Sequence, residues 1–399
     1  MTLSDIGSDI GDGLHVTASR GNQQAFPRKE FDDRVQNIQH DMAALGLDVL
    51  LVHTPENICY LTGYETSGYF EYQVLAIPAS GVPRLLVRNV EQLNVDEYTW
   101  HQDAFVWRDG TDFFEATARL VDFLGAPIPA RIGLENHSWF VTARVSAELA
   151  ARLRGREIVD AGRLVERRRL VKSPAEQLYV RAAAAIADRT MAAAIKAAGA
   201  GRSELDVAAA AHHEYILAGG EYPALPHYVS SGKRSEVGHA TWSEKVLVAG
   251  ETLKMEFLGV KRRYHAGLTR AVHVGPASPE VRAAADIAFD LQQQVFDELK
   301  PGATTDEVTR HARERQAKAL GHKPIKLRLG YSMGIGFPPI AGEGQTADFR
   351  EGSPWVLEPG MVFHMLSVVR IDLTFSDTVL ITADGCERLT QTPRELTEV

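Results

Sequence analysis

No run of about 18 consecutive apolar residues occurs in the 399-residue chain, so no segment reads as a membrane span. The N-terminal MTLSDIGSDIGDG is acidic where a secretory signal would carry a basic and then an apolar segment, which sets the expectation of a cytoplasmic protein. Cysteine is scarce. Cys59 and Cys386 are too few for a disulfide framework and lack the clustered spacing of a thiolate metal site, so both are expected to be reduced packing residues. A basic surplus is missing as well: the formal net charge of -9 disfavours nucleic acid as a partner, because phosphate binding needs a concentrated basic face. The densest basic run, Glu166-Arg167-Arg168-Arg169-Leu170-Val171-Lys172, is short and reads as a solvated linker. What is present, 45% hydrophobic and 24% charged residues, suits a globular chain with two cores.

Residues 1–25 are rich in Gly, Ser and Asp and read as a flexible or partner-docked arm. From there to residue 168 the pattern is that of an α/β domain. Phe31, Val35, Ile38 and Met42 recur at helical spacing, and Leu47 to Val52 reads as a buried strand. Further strands are expected at Val74 to Pro78, Arg84 to Val87 and Arg131 to Glu135, with helices near 112–124 and 142–154. A second domain, residues 169–399, opens where Ser173 can cap, and Pro174 start, a long Ala-rich helix ending near Gly199. Helical segments near 174–198, 203–218, 278–299 and 304–320 form two successive pairs. Each pair is followed by two strand-like runs, 252–257 with 271–274 and 361–366 with 378–382. This is an internal duplication, and the two-domain fold class is α/β (α+β).

Seven stretches, in order, resemble the creatinase, prolidase and methionine aminopeptidase superfamily with its pita-bread fold. They are Asn57 to Tyr64, Lys172 to Glu176, Ser231-Gly232 with His239, Leu268 to Arg270, Met333 to Gly336, Leu357 to Phe363, and Asp377 to Gly385. Metallopeptidases of this kind hold two divalent ions with two Asp, one His and two Glu. The resemblance puts those five positions at Glu256, Gly267, Met333, Leu366 and Ser376, and a second His of the peptidase pattern at Ile340. Four of the five are incapable or very poor ligands, so neither metal nor other cofactor is expected.

His239 matches the superfamily's active-site His outside the metal shell, the base in creatinase, and an imidazole suits proton transfer near neutrality. Glu256 sits in the apolar run Leu253-Lys254-Met255-Glu256-Phe257-Leu258, where a lone carboxylate is costly unless a cation joins it. Its bland alternative is a carboxylate paired with Lys254, Arg262 or Arg263. A cationic substrate fits such a site: an amidinium or guanidinium carbon is already activated, whereas a peptide carbonyl needs a Lewis acid. The pattern is most similar to the ectoine hydrolases, which open a small cyclic amidine bearing a carboxylate. The resemblance implies that Glu256 pairs with the amidinium and attacks its carbon, or acts as electrostatic partner, while His239 activates water.

Softer candidates for substrate binding are Tyr60, Tyr64 and Tyr69, in the loop that reaches the partner's site in creatinase-like homodimers. Others are His227, His364, and Met333 and Leu366 at vacated ligand positions. His364 shares a strand face with Leu366. Arg270 matches an Arg that is usually structural. Glu71 stands near a substrate-binding Arg of creatinase, which leaves the anchor for a substrate carboxylate unassigned. The expected partners are a small zwitterion and a second copy of the chain. Competing readings are an amidinohydrolase acting on an open-chain guanidino or ureido acid, and a metal-free binding module.

Overall fold

The computed structural model describes residues 15–17, 24–100 and 104–399. The chain divides into two compact units, Met1–Arg168 and Arg169–Val399. Among the described residues no helix is long and apolar enough to cross a membrane. The arm expected over residues 1–25 falls largely outside the described residues.

In the first unit the strands are β1 (His15–Thr17), β2 (Val49–Val52), β3 (Val74–Pro78), β4 (Arg84–Arg88), β5 (Ala104–Trp107), β6 (Arg131–Leu134) and β7 (Glu157–Asp160). They form one mixed sheet in the order β1-β5-β4-β3-β2-β6-β7. The helices are α1 (Arg28–Ala44), α2 (Pro55–Thr62), α3 (Gln92–Tyr98), α4 (Phe113–Phe123) and α5 (Ala143–Arg152), and α6 (Leu164–Arg169) crosses the division. Helix α1 buries Phe31, Val35, Ile38 and Met42, as their spacing requires. Leu51, Val74, Leu86 and Phe105 of the sheet pack with Phe114, Leu120 and Leu149 of α4 and α5. Each such side chain contributes about 1.5–3 kcal/mol.

One expectation is corrected here: Tyr60 lies in helix α2, not in a loop. Pro55 occupies the first turn, and Gly63, at φ 80°, ends the helix in the left-handed conformation that glycine tolerates.

The second unit carries α7 (Pro174–Ala197), α8 (Glu204–Leu217), β8 (Tyr228–Ser231), β9 (Thr252–Lys261), β10 (Tyr264–His273), α9 (Pro279–Phe296) and α10 (Thr305–Leu320). There follow β11 (Gly330–Ser332), β12 (Asp348–Phe349), β13 (Val362–Val368), β14 (Thr374–Ile381), β15 (Cys386–Arg388) and β16 (Thr397–Glu398). Capping boxes at Ser173/Glu176, Ser203/Asp206 and Thr304/Glu307 start α7, α8 and α10. The main sheet runs β12-β11-β13-β14-β10-β9-β8, with β15 on β14 and β16 on β10.

Met255, Phe257 and Leu268 turn toward Ala187, Met191, Val207 and Ala211 of the first helix pair. Phe363, Met365 and Val379 pack with Val295, Phe296, Val308 and Ala312 of the second pair. Helix α7 lies directly on β9 at Gly259, where any Cβ would overlap the Ala183 carbonyl oxygen. Because side chains alternate along a strand, residues one place away from these turn their backs on the helices.

Candidate active site

Strand register assembles the site. Tyr228 of β8 lies opposite Glu256 of β9, Glu256 opposite Thr269 of β10, Thr269 opposite Ser376 of β14, and Ser376 opposite Leu366 of β13. Five residues from five strands thus form one row on the face away from the helices. A second row lies alongside. Thr378 Oγ1 accepts from the Gly267 N–H at 2.8 Å and donates to the Gly267 carbonyl at 2.9 Å; His364 lies opposite Thr378, and Tyr331 opposite His364. Thr269 Oγ1 is buried with no hydrogen-bond partner among the described residues, which leaves it available to a bound ligand.

Beyond the strand ladder, the Glu256 carboxylate has no hydrogen bond or ion pair among the described residues. The residues that could have neutralised it point elsewhere. Lys254 Nζ reaches the Ile371 carbonyl at 3.3 Å, and the Arg263 guanidinium donates to the carbonyls of Gly336 and Tyr222. Burial pushes the Glu256 pKa up from 4.5 to about 7, and the positive charges of Lys254 and Arg328 oppose this only in part. The carboxyl is therefore poised near neutrality for a cation or a proton. The alternative of a paired structural carboxylate finds no partner for it among the described residues.

His364 is fully buried, and its ring bridges the two rows. Its Nδ1 is 2.9 Å from Tyr331 Oη and its Nε2 is 2.5 Å from Ser376 Oγ. A Cβ built on Gly267 would lie 2.7 Å from His364 Cε1 and Nδ1, so the imidazole occupies the space a side chain at position 267 would need. Burial, aided by the Arg328 charge, lowers the His364 pKa to about 3, and the ring stays neutral.

His239 is exposed at φ 59°, in the left-handed region, with its ring 5.5 Å from that of Tyr228. It rides on a loop whose two ends are clamped by one buried carboxylate. Glu204, at the start of α8, accepts from Ser231 N (2.8 Å) and Oγ (2.9 Å), from Ser243 N (2.9 Å) and Oγ (2.7 Å), and from Arg234. Tyr228 stands between His239 and Glu256, and its pKa is raised by burial and by the Glu256 charge.

Comparison with known proteins names the framework. Residues 179–383 match metallopeptidase family M24, and residues 34–171 match the creatinase/prolidase N-terminal domain. An uncharacterized hydrolase/peptidase, y4tM, of Sinorhizobium fredii is 30% identical over 93% of this chain and 98% of its own length. The chain belongs to metallopeptidase family M24. The ectoine hydrolase of Halomonas elongata is 28% identical over 93% of this chain and 98% of its own. A Pyrococcus horikoshii Xaa-Pro dipeptidase is 29% identical over 62% of this chain and 70% of its own. The dipeptidase PepE of Mycobacterium ulcerans superposes with a TM-score of 0.81 at 24% identity, covering 94% of this chain and 99% of that one. These likenesses establish the pita-bread fold with its creatinase-type N-terminal domain, and a hydrolase of that family.

The two-metal chemistry of M24 peptidases does not fit the residues of this member. Of the five positions that the resemblance assigns to metal ligands, only Glu256 offers a donor suited to a divalent ion; Gly267 is covered by His364, and Ser376 is engaged by the same ring. Among the described residues no three His, Cys, Asp or Glu side chains converge as a ligand set.

The remaining sequence candidates separate. Met333 is fully buried just after β11, its N–H bonded to the Val362 carbonyl at 2.9 Å. His227, the residue before β8, packs against Tyr215, His212 and Phe257 on the helical side, and so is not brought to the Glu256 row. Strand alternation is the reason, since Tyr228 takes the inward place. Arg270 also lies behind the sheet, bonded to Asp377 Oδ1 at 2.9 Å and to backbone carbonyls.

Within the first unit, Tyr60 is buried beneath the Arg34 guanidinium, and the buried Tyr64 donates to Glu91 at 3.0 Å. Tyr69 lines a cavity of about 300 Å³ with His53, Phe113 and Phe140. Glu71 is paired with Arg88 at 3.1 Å. Sequence reasoning missed Tyr228, Thr269, Tyr331 and Arg328. Alternation along β8 and β10 was the available signal for the first two.

Proposed function

We propose that this chain hydrolyses the ring of ectoine, or a close cyclic amidine, to an N-acetylated 2,4-diaminobutyrate without a metal ion. The observation that carries this reading is Glu256: a half-buried carboxylate with its pKa raised and no partner among the described residues, on a site whose other metal-ligand positions are incapable or very poor ligands. A substrate amidinium supplies the missing positive charge and needs no Lewis acid to activate its carbon. The likeness to an ectoine hydrolase over nearly the whole chain supports the same substrate class.

In the reaction, Glu256 pairs with the amidinium and its carboxylate oxygen adds to the carbon between the two ring nitrogens, giving a covalent adduct. His239 takes a proton from water. The resulting hydroxide adds to that carbon, the bond to Glu256 breaks and the carboxylate is regenerated. One ring C–N bond then breaks as His239 returns its proton to the departing nitrogen, and the new hydroxyl gives up its proton as the acetamide carbonyl forms, so the released amine leaves as an ammonium. The same groups also serve a route in which Glu256 stays an electrostatic partner and water attacks directly. Mass spectrometry of protein quenched during turnover separates the two routes, because only the first places the substrate mass on the peptide carrying Glu256.

The decisive assay incubates chelator-treated protein with ectoine and follows ring opening by proton NMR. Full activity after metal removal is expected. Loss of activity that added metal restores, or release of urea from a guanidino acid with no action on ectoine, overturns the reading. The working form under this proposal is a cytoplasmic homodimer, with the Tyr69 loop and its 76%-exposed Phe70 at the partner's site. Sedimentation of the native chain against a Phe70→Asp variant tests the dimer.

A further inference from the structure

The proposed substrate carries a carboxylate as well as an amidinium, and nothing in the rows around Glu256 neutralises an anion. The segment entering β11 is basic: His322, Lys323, Lys326 and Arg328 are all exposed. Among them Arg328 is fixed toward the site. Its guanidinium stacks 4.1 Å from the centroid of the Tyr331 ring, and Tyr331 holds His364 at 2.9 Å. One of its nitrogens donates to the Gly344 carbonyl at 3.2 Å. Arg328 makes no ion pair among the described residues, although most arginines of this unit do. A guanidinium stacked on an aromatic ring, with donors to spare and no carboxylate, is prepared for a planar anion.

We propose that Arg328, mounted on Tyr331, is the anion subsite of this pocket and binds the carboxylate of a zwitterionic substrate whose cationic end pairs with Glu256. The inference rests on the amidine-hydrolase reading and adds the specificity it lacked. Glu256 attracts any small amidinium, whereas the distance between an acid and a base on one ligand selects those with a carboxylate at the right span. The other cation beside Glu256, Lys254, is the natural rival. Its Nζ is turned to the Ile371 carbonyl and feels the Asp372 charge, so it is already engaged. The basic residues preceding Arg328 add a field that draws anionic groups toward the same segment.

The test compares native protein with Arg328→Met, Arg328→Lys and Lys254→Met on two compounds, ectoine and the same methylated ring without its carboxylate. The native protein should prefer ectoine. Arg328→Met should raise KM for ectoine roughly 10- to 100-fold, the range expected when one partner of a charged hydrogen bond is removed, and leave the carboxylate-free ring unaffected. Arg328→Lys should recover part of the loss, since it keeps charge but not the planar fork. Equal losses on both compounds, no loss on either, or transfer of the preference to Lys254→Met each overturn the subsite.

Failure of the parent reading looks different. If native protein opens neither ring, calorimetric titration of the two compounds still reads the subsite: tighter binding of ectoine that Arg328→Met abolishes supports it. Undiminished discrimination in that variant, or binding of neither compound, refutes it.

Discussion

Replacing Glu256 by Gln should make the protein more stable while abolishing its activity. A carboxyl with a pKa of about 7 in the fold and an ordinary value of 4.5 is harder to ionise folded than unfolded. Below pH 4.5 both states are protonated and the group contributes nothing to the pH dependence. Between pH 4.5 and 7 the folded state keeps a proton that the unfolded state releases, so stability falls as pH rises. Above pH 7 the full penalty is present. At about 1.4 kcal/mol per pKa unit the shift corresponds to roughly 3 kcal/mol. Glutamine is neutral throughout and escapes it. Urea denaturation followed by tryptophan fluorescence should therefore give Glu256→Gln an advantage of about 2–3 kcal/mol at pH 8 and only a fraction of that at pH 5. An equal gain at both pH values, or no gain, would refute the claim that Glu256 is desolvated and unpartnered. The same pKa predicts that kcat/KM of the native protein for a permanently cationic substrate falls on the acid side with a midpoint near pH 7.

Other consequences of the geometry are open to simple measurement. His364, with its pKa lowered to about 3, should show imidazole carbon and nitrogen shifts that do not move between pH 5 and pH 8 in labelled protein; a titration near pH 6.5 would contradict its neutral bridging role. Glu204→Ala removes the acceptor of five donors, three of them at Ser243 and Arg234 on the far side of the loop from β8 or within it. It should cost about 3–5 kcal/mol and open residues 231–243 to limited proteolysis, and an uncut loop would show that the clamp lies elsewhere. Gly259→Ala should destabilise by at least 1–3 kcal/mol in thermal melts, because helix α7 must lift from β9 to admit the methyl group.

Much of this was legible where local chemistry and periodicity agree. Ser173, Pro174 and Glu176 announce the start of α7 because capping is a short-range device, and α7 begins there with a complete capping box. Helix α2 carries equally local signals in Thr54-Pro55 and Gly63, yet likeness to creatinase points to a loop for Tyr60. Length does not explain why β5 and β7 escape notice, since β2 and β6 are equally short; β7 (Glu157-Ile158-Val159-Asp160) is half-exposed and charged at both ends, without the buried apolar run that marks β2. The site was harder. Glu256 stands out as a charge in an apolar run, yet its neighbours Tyr228, Thr269 and Ser376 come from strands as many as 148 positions apart, and only register brings them opposite. His227 and Tyr228 differ by one residue and face opposite ways, so a sequence that does not reveal where β8 starts cannot choose between them. Arg328 lies in an irregular segment, where no periodicity says which way a side chain points.

The altered metal site is built as an arrangement in its own right. Loss of ligands alone would leave space and unsatisfied groups around Gly267. Instead His364 fills the volume over Gly267, Ser376 and Tyr331 bond its two ring nitrogens, and Thr378 ties down the Gly267 backbone on both its N–H and its carbonyl. Each replacement depends on another. Restoring Asp at 267 without moving His364 would create overlap, and restoring Glu at 376 would take away the ring's nearer partner. The interlocking leaves Glu256 as the remaining carboxylate of the set, without the cation such a carboxylate ordinarily faces. Under the proposed reading, the positive charge that balances such a site arrives with the ligand.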